Sequence, residues 1–87
     1  MHAVVINVSF TDQAAAQGSL GELVPRVSGS PAFVAGYWIA LSDHHGSSVI
    51  VFASEAQAQA FAAQAESAPA GPVRLESIEV GEVVANA

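Results

Sequence analysis

The alternation of apolar and polar positions divides the chain into six elements. Residues 2–10 (HAVVINVSF) read as a strand rich in β-branched side chains. Its even positions, Val4, Ile6, Val8 and Phe10, are apolar, whereas the odd ones, Ala3, Val5, Asn7 and Ser9, form a mixed face. A helix is expected next, with Thr11 as hydroxyl N-cap and Asp12 in the first turn. Ala16, Leu20, Leu23, Val24 and Val27 recur at the spacing of an amphipathic stripe. Gly18 and Gly21 each cost about 1 kcal/mol inside a helix, and Ser19-x-x-Glu22 is itself a capping-box pattern. The spacing therefore predicts an interrupted helix with its firmer half at 20–27, where Pro25 either kinks it or sits in the first turn of the second half.

After a loop at Ser28–Pro31, residues 33–42 (FVAGYWIALS) and 47–53 (SSVIVFA) read as two strands. Asp43-His44-His45-Gly46 supplies the turn of an antiparallel hairpin. Ser54 with Gln57 three residues later is a capping box, so a second helix starts at Glu55 and presents Ala58, Phe61, Ala62 and Ala65 on one face. The Ala-Pro-Ala-Gly-Pro segment at 68–72 ends it. Val73–Val84 is the last strand, with Gly81 expected at a bulge or bend. The order β-α-β-β-α-β is the ferredoxin-like α+β pattern, a four-stranded antiparallel sheet with two helices on one face.

A sheet with one wet face should alternate apolar and polar residues. The middle strands do not. Strict alternation places Phe33, Ala35, Tyr37, Ile39 and Leu41 on one side and Val34, Gly36, Trp38 and Ala40 on the other, so Tyr37 and Trp38 point to opposite faces. Both faces thus look buried, but two short helices cover only one. A face of about five residues by four strands projects roughly 300 Å², the size of patch that marks an interface. The expectation is a homodimer joined through the sheet face.

Composition sharpens this. At 87 residues the chain is one domain, 1–87. It is 52% hydrophobic and 11% charged, which excludes a disordered chain. It has no cysteine, hence no disulfide framework, iron–sulfur cluster or thiol nucleophile. Its two cations are Arg26 and Arg74 and its net charge is −6, which argues against a nucleic-acid partner. The longest apolar run, Ala32–Leu41, is about half the roughly 20 residues of a membrane span. No basic n-region precedes the first strand, so no membrane association and a cytoplasmic location are expected.

Little of the chain carries obvious chemistry. His44 and His45 beside Asp43 diverge in a turn and make a poor chelator, so no metal is expected. Gly18-x-x-Gly21 follows no strand directly and has no basic partner, so it is no phosphate loop. Glu76, Glu79 and Glu82 read as solvated edge charges, with Arg74 part of the same strand-surface pattern.

The stretch SPAFVAGYW (30–38), the hairpin, and VIVFASEAQA (49–58) resemble the dimeric α+β barrel superfamily, specifically its antibiotic-biosynthesis-monooxygenase-like group. The topology of that group matches the whole chain, and the sequence likeness covers about residues 31–58. Ala32 stands where the group usually has Gly, and the hairpin is short. The resemblance implies a cofactor-free oxygenase of aromatic substrates, a haem-degrading enzyme or a small protein without known activity. Haem-degrading members use an Asn on the first strand, a Trp on an inner strand and a His on the second helix. Asn7 and Trp38 match, but residues 55–66 contain no His, which removes the iron ligand, and no cofactor is expected. Asn7, Ser9 and Trp38 are then the candidate ligand-binding residues, with Tyr37 a weaker one and no catalytic residue assigned. Two principal functions fit them: binding of a small apolar or aromatic ligand, or cofactor-independent monooxygenation of an aromatic or polyketide-like substrate. A third reading is an interaction domain that offers its open sheet face to an unlike chain.

Overall fold

A computed structural model describes residues 1–67 and 73–87. Six elements follow one another: β1 (His2–Phe10), α1 (Gln13–Ser28), β2 (Phe33–Ala40), β3 (His45–Phe52), α2 (Glu55–Ser67) and β4 (Val73–Glu82). The strands form one sheet in the order β2-β3-β1-β4, every neighbouring pair antiparallel. This is the ferredoxin-like arrangement expected from the pattern. The segment 68–72, assigned above to ending α2, lies outside the described residues.

The register places the even residues of β1 and β3 under the helices. Val4, Ile50 and Phe52 of the sheet join Val27 of α1 and Ala58 and Ala62 of α2 in one buried cluster. Phe33 and Phe61 flank Phe52 at ring-centroid distances of 6.4 and 5.4 Å. Small Ala58 and Ala62 let α2 sit close to the sheet, so the large aromatic residues provide most of the filling.

Local chemistry explains α2 and corrects α1. Ser54 Oγ accepts from the Gln57 amide, as the capping box requires, and Ala58 N–H donates to Ser54 O. In α1 the cap is Asp12 and not Thr11: its carboxylate accepts from the amides of Ala14 (3.0 Å) and Ala15 (3.2 Å). A carboxylate there meets both the unpaired amides and the positive end of the helix dipole. The helix then runs unbroken from 13 to 28 through Gly18 and Gly21. Ser19 caps nothing; its hydroxyl donates to Ala16 O within the helix. Burial of Ala16 and Val27 holds the two glycines helical, because tertiary burial outweighs a propensity deficit of about 2 kcal/mol. Pro25 lies inside the helix on an exposed side, where water can serve the carbonyl that loses its amide partner.

Three further expectations move. The hairpin turn is Leu41–His44, closed by Leu41 N–H and Ser42 N–H on His45 O, so His45 and Gly46 belong to β3. Gly46 is a strand glycine because a Cβ there would come within 3.1 Å of Ile39 O and 3.3 Å of the Phe10 ring. Gly81 pairs regularly with Ala3, and the β4 bulge sits instead at Glu76, between Leu75 opposite Val8 and Ser77 opposite Asn7. A second irregularity lies in β2 at Val34: Phe33 pairs with Phe52 and Ala35 with Val51. The extra residue turns Phe33 to the helix side, with Gly36 and Trp38, instead of the side carrying Tyr37.

The face away from the helices is only partly covered. Tyr37 and Leu41 are each 62% exposed and Ile39 45%. The apolar alternation that suggested two buried faces thus corresponds to one face under the helices and one open one.

Candidate functional site

The helix-covered face is packed at one end and hollow at the other. At the packed end the sheet presents Val4, Ile50 and Phe52. Toward the hairpin the same face presents Gly46, Ser48 and Ala40, which are too small to reach the helices. The helices also stand apart, α1 contacting β2 and α2 lying over β4, β1 and β3. A cleft of about 1060 Å³ results between them, enough for a small organic ligand.

The floor of the cleft runs across three strands through Ile6, Ser48 and Trp38, which are aligned by register. Leu20, Leu23 and Val27 form the α1 wall, and Phe61 and Ala65 the α2 wall. Val73 and Leu75 close the β4 side. The cleft's polar residues are the buried Ser48 on the floor and Gln17, Ser19, Arg26, Gln64 and Glu66 on the helices, with Ser30, Ser47 and Arg74 also bordering it. Most of its lining surface is apolar, as in pockets that take small molecules.

Trp38 is held flat by its own strand. The indole lies across Gly36, two residues earlier on the same face, so that a Cβ on Gly36 would stand 2.8 Å from the ring. Glycine at 36 therefore lets the ring rest on the backbone and form part of the cleft floor.

The other two candidates, Asn7 and Ser9, do not share this site. They occupy odd positions of β1, on the face away from the helices. Asn7 Nδ2 donates to Ser77 Oγ at 3.0 Å, and Ser9 Oγ donates to the Glu76 carboxylate. The bulge at Glu76 brings that carboxylate to Ser9. The sheet thus separates Asn7 and Ser9 from Trp38: the cleft is lined by Trp38 and by neither of the other two. Tyr37 also faces away from the cleft. The reason is parity: an odd residue of β1 and an even residue of β2 lie on opposite faces in this register.

The histidines are spread out. His2 Nε2 is 3.2 Å from Glu55 Oε2, joining the start of β1 to the start of α2. His44 is exposed; its Nδ1 lies 3.2 Å from Phe10 O, and Phe10 N–H donates to His44 O, tying the turn to the end of β1. His45 stands opposite Ser9. Among the described residues no three His, Asp or Glu side chains gather as a metal set, and no helix is long and apolar enough to cross a membrane.

Reading by residue type alone overlooked Ser48, Phe61 and Arg26 as cleft residues. Ser48 carries a usable signal, since it shares the even parity of Ile50 and Phe52 yet is polar and small. Arg26 carries one too, as one of two cations in the chain. Neither an established family model nor any curated protein matches the chain, so its function is read from this geometry.

Proposed function

We propose that the protein binds a small apolar or aromatic molecule in the cleft between its helices and its sheet, and does so as a homodimer of the dimeric α+β barrel kind. The observation that carries the binding reading is the cleft of about 1060 Å³, walled by leucines, valines and phenylalanine, with one buried hydroxyl on its floor. Burying a flat apolar ligand there releases favourable free energy at about 25 cal/mol per Å², and Ser48 supplies an orienting hydrogen bond.

Oxygenation is the less supported activity. It needs a group to take a proton from a phenol, and Asn7 and Ser9 lie on the far face of the sheet. Among the described residues the one carboxylate bordering the cleft is Glu66. Binding without turnover is therefore the favoured reading.

The dimer reading rests on the open face. Ala35, Tyr37, Ile39, Val49 and Val51 form an apolar field on β2 and β3, while the carboxylates of Glu76 and Glu79 belong to β4, at the opposite edge of the sheet. A two-fold axis over the β2–β3 half stacks apolar surface on its copy and leaves the acids at the rim.

Titration with hydroxylated polycyclic aromatics, followed by Trp38 fluorescence and by an oxygen electrode, tests the binding reading. A saturable change of the single tryptophan's emission without oxygen uptake is expected. Oxygen consumption would establish the oxygenase in its place, and no response across the panel would sink the cleft as a ligand site.

A further inference from the structure

We infer that the molecule taken up by the cleft is an amphipathic anion, an apolar or aromatic body with a carboxylate head, and that Arg26 meets the head. This rests on the cleft being a ligand site, as proposed above, and adds the chemical class of the ligand.

The chain has two arginines and no lysine against eight carboxylates. Among the described residues the one salt bridge joins His2 to Glu55 and involves neither arginine. Arg26 stands in the last turn of α1, on the flank that also carries Ser19 and Leu23, and all three border the cleft. Glu66 borders it from α2 but forms no salt bridge with Arg26. Arg74 borders it from β4, but its register partner is Ser9, which places its side chain with the open face. Arg26 is therefore the cation that α1 brings to the cleft.

The fit follows from chemistry. A guanidinium is weakly hydrated, lies well against apolar walls and grips a carboxylate through two parallel hydrogen bonds. A neutral ligand would leave that capacity unused, and a cationic one would be repelled. The net charge of −6 opposes an anion, but salt screens distant carboxylates beyond about 8 Å, and Glu66 is the one carboxylate among the described residues that borders the cleft. At contact distance the nearby guanidinium decides. Arg26 also suits the negative end of the α1 dipole, a purely structural role that would alter stability but not ligand preference.

The test compares 2-naphthoate with 2-naphthamide, of the same shape and neutral, by Trp38 fluorescence on the full chain. Wild type is expected to bind naphthoate about tenfold more tightly. Arg26→Gln should bring the two affinities together by weakening naphthoate about tenfold, and Arg26→Lys should restore part of the preference. A thermal melt of each variant separates this from helix stability, because a structural role moves the melting temperature and not the ratio. Equal binding of the two probes to wild type, or a preference that survives Arg26→Gln, overturns the inference. If neither probe binds, the cleft itself fails as a ligand site and this inference falls with it.

Discussion

The two faces of one sheet are built from nearly the same residue types, and they meet opposite surroundings. On β3, Ile50 and Phe52 are 1% exposed, whereas their neighbours Val49 and Val51 remain half-buried. On β2, Trp38 lies against the backbone of Gly36 while Tyr37, one residue away, stands 62% exposed. Hydrophobicity made every one of these residues a candidate for the core. Where the helices land decided which became core, and the rest is apolar surface suited to a second copy of the chain. The covered face repeats the lesson on a smaller scale: Ile50 and Phe52 fill their end, and Gly46 and Ser48 leave theirs hollow. Side-chain volume along a single strand thus separates packed core from open cleft.

Substitutions on the two faces can break that comparison. The largest effect is expected from Phe52→Ala, which removes the central ring between Phe33 and Phe61. It should cost about 3–5 kcal/mol, much of the stability of a domain this small. Val51→Ala, the next residue on the other face, should cost about 1 kcal/mol or less. Urea unfolding of the two variants gives both values, and equal losses would show that the faces do not differ.

Next comes Ile39→Glu, at the hairpin end of the open apolar field. In the proposed two-fold dimer it should weaken association by about 2–3 kcal/mol, roughly 30- to 150-fold. The fold itself should change by no more than about 0.5 kcal/mol. Light scattering at micromolar concentration should show wild type at twice the chain mass and the variant at once, with unchanged circular dichroism. A monomeric wild type would leave the open face without its proposed partner.

The smallest effect sharpens the comparison at the point where β2 begins. Ala32 has φ 63°, a left-handed conformation, and its carbonyl accepts from Ala53 N–H at 2.8 Å. Ala32→Gly should relieve the Cβ strain and raise stability by about 0.5–1 kcal/mol after the added freedom of the unfolded chain, visible as a higher urea midpoint. A loss would mean that the left-handed turn leading to the Val34 bulge is not strained.

Much of the fold was legible locally. The Ser54–Gln57 box marked α2 to the residue because a cap is written within four positions. The β-branched runs marked four strands, and their order with the helices specified the topology. The bulges were not legible. Nothing in the types of Val34 or Glu76 marks them; each arises where neighbouring strands must be kept in register. The candidate site suffered most from this. Asn7 and Trp38 stand out through the family resemblance and Ser9 as a polar residue of the first strand; Trp38 lines the cleft, but neither signal says which face will receive the helices, and Asn7 and Ser9 lie on the other one.

The sequence by itself determined the element order, the second helix cap, the excess of apolar surface over what two helices can cover, and the scarcity of cations. These follow from residue type and short-range spacing. Only the tertiary structure decided which face became core, that Phe33 turned inward, that α1 ran through its glycines, and that Arg26 borders a hollow floored by Ser48. The physical reason is that parity, bulges and helix placement depend on contacts between residues far apart in the chain, where burial free energy outweighs local preference.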